Sequence, residues 1–280
     1  MLGGATPHAI ALTLELFAAG IVASFLGSVV GLGGGFIAIP MLRLFFHLPP
    51  TLTAGTSLFL VTANVASASV NFLRQGRVDR RLGVTMGLLG IPGSILGALA
   101  LRHFNTKGFD VLYAAVLLVF AVDLLRRGTA KQEGGVLPKL PWAKRREFYD
   151  RLSGNTYVYA DSPPLIAVAG LTTGFLSSFF GIGGGILVVP LLLRAFVLPA
   201  HIVSATSHFI ILLSSPFGLV AHGLAGDIDW LYAVPLALGG VVGAQFGAET
   251  ARRLSTPILV RTLAVVLIVA AGSLVVQHLV

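Results

Sequence analysis

The chain has 280 residues, 55% of them hydrophobic and 11% charged, with a mean hydropathy of +0.90. Too little charge is present to coat a soluble domain of this size, and several apolar runs reach the roughly 17–25 residues that span a bilayer. The 19 basic against 11 acidic residues leave a net charge of +8. In a membrane chain this excess reflects basic cytoplasmic loops and not nucleic-acid binding, while zero cysteine excludes disulfides, thiolate metal sites and sulfur relays.

The first residues, MLGGATPHAI, carry no basic region, so no cleaved signal peptide is expected. An apolar helix is predicted over 9–30 and runs into GLGGGFIAIP, residues 31–40. Consecutive glycines are costly in a helix or a strand. They mark the tip of a hairpin, and a short helix over 36–47 follows, ending at Leu48-Pro49. Longer helices are predicted over 52–73, 82–103 and 108–126. Residues 126–151 then hold eight Lys/Arg and three acids. Within them LPWAKRREFYDRL mixes Trp142, Phe148, Tyr149 and Leu152 with cations, the pattern of an interfacial helix on the inner leaflet. Beyond this linker come a helix over 164–180, the decapeptide GIGGGILVVP at 181–190 and a short helix over 186–198. Helices over 202–223, 230–250 and 257–277 complete the chain.

The order of elements repeats because the sequence does. Shifted by 150 residues, the second half lies on the first without a gap. Gly31, Gly33, Gly34, Gly35 and Pro40 fall on Gly181, Gly183, Gly184, Gly185 and Pro190, and Thr56-Ser57 falls on Thr206-Ser207. Three domains follow: a first transmembrane repeat (1–126), a basic cytoplasmic linker, partly amphipathic (127–162), and a second transmembrane repeat (163–280). Each repeat has an odd number of spans whether its glycine hairpin crosses the bilayer or re-enters, so the two repeats should face opposite ways. Loop charges agree: RQGRVDRR (74–81) in the first repeat is basic, whereas its counterpart GLAGDIDW (223–230) has two Asp and no Lys or Arg. Arg102, His103 and Lys107 fall on the outside against this rule. The expected fold is an all-α, polytopic helical bundle of 8–10 membrane segments. It comprises two inverted-topology repeats, each with a Gly-rich hairpin of short or broken helices. Many secondary transporters are built this way around a site near the midplane.

Backbone N–H groups in such a glycine run can form a nest for an anion, reinforced by the positive end of the short helix behind it. The candidate anion-binding residues are therefore Gly33, Gly34 and Gly35 with Gly183, Gly184 and Gly185. The hydroxyls of Thr56, Ser57, Thr206 and Ser207 and the buried polar groups of Asn64 and His208 join them. His208 is a candidate carrier for a coupled proton. Gly90, Gly93 and Gly97, with Gly240, Gly243 and Gly247, instead suit close helix packing. Arg43 and Arg194, near the Leu-Pro exits, are expected to reach back to the interface.

The duplicated G-[LI]-G-G-G-x(4)-P, followed by T-S and then G-x-[VI]-D, resembles the TauE/SafE family of sulfite exporters. The elements here are GLGGGFIAIP, AGTSLF and GRVD, then GIGGGILVVP, SATSHF and GDIDW. Arg80 stands where the second copy has Trp230. The resemblance implies export of small sulfur oxyanions or organosulfonates across the cytoplasmic (inner) membrane as a multi-pass protein, without a cofactor. An anion channel, or an importer of another small anion, uses the same site. No H-E-x-x-H, Cys nucleophile or intramembrane acid cluster points to an enzyme.

Overall fold

The computed structural model of the chain describes residues 7–127, 142–151, 154–251, 261, 264–265 and 267–272. Its elements are α1 (Pro7–Val30), α2 (Gly35–Leu44), α3 (Pro50–Arg74), α4 (Arg80–Leu101) and α5 (Thr106–Arg127). Then come β1 (Lys144–Tyr149), β2 (Thr156–Asp161), α6 (Pro163–Phe180), α7 (Gly185–Arg194), α8 (Ala200–Leu224) and α9 (Trp230–Ala251). Apart from the interfacial helix expected in the linker, the helices predicted up to residue 250 all form. Most of the one predicted over 257–277 lies outside the described residues.

Among the described residues, six helices, α1, α3, α4, α6, α8 and α9, are long and apolar enough to cross a membrane. This is a polytopic, all-helical membrane protein. The short helices α2 and α7 have ten residues each, about 15 Å of rise. Both stop by the same device. His47 and Val197 take left-handed φ values of 52° and 54°, and the next N–H, on Leu48 or Leu198, bonds back to Leu42 or Leu192. The Pro that follows sets up the first turn of α3 or α8.

Contacts between helices and loops also fix relative directions. The start of α3 lies against the loop after α8, where a Cβ on Gly55 would sit 1.9 Å from the Asp227 carbonyl. At the other end Arg77, just past α3, donates to the His201 carbonyl at the start of α8. Equivalent helices α3 and α8 therefore run antiparallel. Two further seams join the repeats: α1 runs parallel to α9, and α4 parallel to α6. The spaced glycines build these seams. A Cβ on Gly93 would meet the Leu171 carbonyl at 2.0 Å, and one on Gly243 the Ile21 carbonyl at 2.2 Å. Only glycine lets these backbones approach so closely.

Two expectations need correction. The linker stretch 144–149 is a strand, not an interfacial helix. It pairs antiparallel with β2 from Lys144↔Asp161 to Tyr149↔Thr156. Along it Arg146 and Phe148 are half-buried and Arg145, Glu147 and Tyr149 exposed, a period of two and not 3.6. The aromatic, β-branched partner Thr156–Asp161 decides the outcome, and a single-segment pattern does not contain it. Second, Arg43 does not reach the interface. It is buried, bonding Asp110 of α5 through Nε (2.9 Å) and Nη2 (2.5 Å) and the Leu48 carbonyl through Nη1. A bidentate carboxylate compensates the guanidinium where it stands. The side chain of Arg194 lies outside the described residues.

Candidate substrate site at the glycine turns

The two glycine turns meet at the centre of the molecule. Gly31, Gly33 and Gly34 have φ of 96°, 82° and 88°; Gly181, Gly183 and Gly184 have 78°, 84° and 68°. Side chains rarely adopt these values, so the turn itself requires glycine. Gly35 and Gly185 serve a different purpose. A Cβ on Gly35 would lie 2.4 Å from the Gly181 carbonyl, and one on Gly185 would lie 2.5 Å from that of Gly31. Backbone presses on backbone, each turn against the other.

A serine from the opposite repeat holds each turn. Ser57 Oγ on α3 donates to the Gly181 carbonyl at 2.8 Å, and Ser207 Oγ on α8 donates to the Gly31 carbonyl at 2.8 Å. Both side chains are fully buried. The neighbouring threonines are also reciprocal and also buried, but they bond away from the turns. Thr56 Oγ1 accepts from the Asp229 N–H at 3.0 Å, and Thr206 Oγ1 accepts from the Asp79 N–H at 3.1 Å. Each threonine thus secures the α3–α4 or α8–α9 loop of the other repeat.

Between the turns lies a small apolar cluster of Val61, Val65 and Ile211. Val61 is the common neighbour: its side chain would be 3.0 Å from a Cβ on Gly33 and 2.5 Å from one on Gly183. Asn64 sits to one side. Its Nδ2 donates to the Ser24 carbonyl at 2.9 Å and its Oδ1 accepts from Ser28 Oγ at 3.2 Å, tying α3 to α1. The glycines, Ser57 and Ser207 are therefore brought together, whereas Thr56, Thr206, Asn64 and His208 surround them at greater remove.

His208 is fully buried, with Nδ1 2.9 Å from the Ser204 carbonyl and its ring against the edge of Phe72. Its Nε2 has no hydrogen-bond partner among the described residues. The same holds for four hydroxyls that the sequence reading passed over: Ser24 of α1, Ser69 of α3, and Thr173 and Ser177 of α6. Thr173 and Ser177 border Gly184, and Ser24 borders Gly34. Small hydroxyl residues in an apolar helix give no signal until the turn is seen beside them.

Two polar arrangements also escaped the sequence. The first is a stripe on α8, where His201, His208, Ser215 and His222 recur every seven residues. Seven-residue spacing drifts only about 20° per step, so the four share one face, and they cover about 31 Å of rise. This face meets α3 and the residues beyond it: Phe72 at His208, Thr62 Oγ1 3.1 Å from Ser215 Oγ, and Gly55 beside His222. The ends carry carboxylates, with Asp150 Oδ2 2.8 Å from His201 Nε2 and Asp227 Oδ2 3.5 Å from His222 Nδ1. The first repeat has Thr51, Leu58, Val65 and Phe72 at the matching positions, so the stripe belongs to one repeat only.

The second arrangement concerns Arg102, whose position opposed the charge rule. Its Nη2 donates to the Ala225 carbonyl at 2.7 Å, and its Nε lies 3.5 Å from Asp227. The acidic loop between α8 and α9 thereby balances this cation.

Among the described residues, six membrane-length helices, arranged as two repeats that meet at paired glycine turns, define a multi-pass membrane protein, and its relatives place it among membrane transporters. Its sequence matches Sulfite exporter TauE/SafE over residues 16–274, and the chain belongs to that family. The "Probable membrane transporter protein YunE" of Bacillus subtilis (strain 168) is 32% identical over 267 residues, covering 91% of this chain and 94% of that protein. A "Probable membrane transporter protein" of Haemophilus influenzae is 30% identical over 241 residues, covering 84% and 83%. Another of that name from Xylella fastidiosa (strain 9a5c) is 28% identical over 252 residues, covering 87% and 86%. No solved structure matches the chain.

Proposed function

We propose that the protein is a secondary transporter that exports small anions, namely sulfite, sulfonates or related sulfur oxyanions, by alternating access between two repeats inverted in the membrane. The reciprocal serine bonds carry this reading, since each turn is held by a helix of the other repeat. Relative movement of the repeats must then break or re-form both contacts together. The substrate site lies at the turns. The N–H groups opening α2 and α7, with the hydroxyls of Thr173 and Ser177 that are unpartnered among the described residues, supply donors to an oxyanion without a formal positive charge. Such a site binds its anion weakly enough to release it. The antiparallel course of α3 and α8 supports the inverted arrangement.

The coupled species is a proton, with His208 its carrier on the α3–α8 seam. Charged and titratable groups near that stripe are Arg77 and Asp150 at one end and Asp227 and Arg102 at the other. Flux into proteoliposomes tests the proposal, comparing sulfite, sulfate, thiosulfate and a sulfonate with and without a pH gradient. We expect at least one sulfur anion to move, faster down an opposing proton gradient, and His208→Gln to lose the gradient dependence. Movement of none of the four would end the sulfur-anion reading; ion current without gradient coupling would make the protein a channel.

A further inference from the structure

At the linker end of the bundle, α4 and α6 begin side by side and the β1–β2 hairpin lies over them. A cavity of about 210 Å³ opens between these elements. Its upper wall is ionic: Arg81 from the first turn of α4, Lys144 and Arg146 from β1, and Asp161 from the end of β2. Its lower wall is apolar: Leu89, two turns further down α4, and Ile166, in the first turn of α6.

The ionic wall has three cations to one carboxylate. Asp161 is shared, 2.9 Å from Arg146 Nε and 3.7 Å from Arg81 Nε, so it cannot neutralise both guanidiniums and the Lys144 ammonium as well. Arg81 keeps 63% of its side-chain surface exposed and Arg146 34%. Below them, Val84, Leu88 and Leu96 extend an exposed apolar face along α4. On a membrane-spanning helix such a face is covered by acyl chains. The cavity therefore joins a cationic rim, at the level where a helix enters the bilayer, to an apolar wall that continues into the hydrocarbon. A free anion would use the first feature only. A molecule with a phosphate at one end and acyl chains at the other uses both.

We propose that this cavity binds an anionic phospholipid, with its phosphate against Arg81, Lys144 and Arg146 and an acyl chain along Leu89 and Ile166. The bound headgroup ties the β-hairpin to the starts of α4 and α6, one from each repeat. Nothing in this assignment depends on which substrate the protein carries.

Native mass spectrometry of the full chain, released from detergent with added lipid, tests it. Phosphatidylglycerol should be retained in preference to phosphatidylcholine. Arg81→Gln and Lys144→Gln should each weaken that retention roughly fivefold, the effect of one cation at an anionic surface. Leu89→Trp crowds the apolar wall and leaves the charges in place, so it separates the two features. It should lower phosphatidylglycerol binding while leaving the wild-type response to inorganic phosphate unchanged. Equal retention of both lipids, or wild-type retention by all three variants, overturns the proposal. So does displacement of the lipid by millimolar inorganic phosphate, which would make this a soluble-anion site.

Discussion

Replacing Ser57 and Ser207 by alanine addresses the contact on which the central site depends. Each hydroxyl is fully buried and donates at 2.8 Å to a carbonyl in the glycine turn of the other repeat. Alanine leaves that carbonyl without its donor and fills no new space. A protein hydrogen bond contributes about 0.5–1.5 kcal/mol net, and those between membrane helices average about 0.6 kcal/mol. At 1.4 kcal/mol per tenfold, one serine corresponds to a two- to twelvefold weakening of the turn's position, by order of magnitude. The KM for the transported anion should rise by about that factor. The unfolding midpoint should fall by about 2–4 °C per kcal/mol lost. Because the two turns touch through Gly35–Gly181 and Gly185–Gly31, the double variant should depart from the product of the single effects. Initial rates in proteoliposomes and a melt in detergent measure the two quantities. Wild-type KM and midpoint in both single variants and in the double would refute the reasoning.

Arg43→Met or Asp110→Asn alone strands a buried charge and should cost about 3–5 kcal/mol. Size-exclusion of detergent extracts should show loss of the monodisperse protein, much of it recovered in Arg43→Met/Asp110→Leu. Gly93→Leu and Gly243→Leu place a side chain within 2.0 and 2.2 Å of a facing carbonyl and should abolish folded protein. Gly226→Ala, in open space at φ 75°, should cost only about 1 kcal/mol by the same extraction assay. Tyr159 in the linker hairpin lies beside Asp79, the N-cap of α4. Burial first, then the Asp79 carboxylate, holds its phenol pKa well above the ordinary value. The unfolded phenol ionises near pH 10 and the folded one does not, so this contribution is complete below about pH 10 and declines above it. Tyr159→Phe should flatten the alkaline fall in melting temperature, and an unchanged slope would count against the assignment.

Much of the architecture was legible because it is written locally. Apolar runs of membrane length, the 150-residue register and the Leu-Pro stops marked the helices up to residue 250 within a few residues at each end. The glycine runs announced a chain reversal, since a left-handed φ at 33–34 and 183–184 is a property of those residues alone. Partners were not legible. Arg43 looks like an interfacial arginine until α5 delivers Asp110, 67 residues later. The linker reads as an amphipathic helix until Thr156–Asp161 offers it a ladder. Ser57 and Thr56 are adjacent in sequence, yet one grips a glycine turn and the other a loop at the end of the bundle. Sequence by itself determined where this chain can cross a bilayer and where it must turn, because hydropathy, glycine and proline act on their own segment. Tertiary structure decided which carbonyl each serine holds, which carboxylate neutralises each arginine and which backbones touch. Those choices depend on segments far apart in the chain, 67 residues for Arg43 and Asp110 and 176 for Ser207 and Gly31, and only the packed repeats bring them within hydrogen-bond distance.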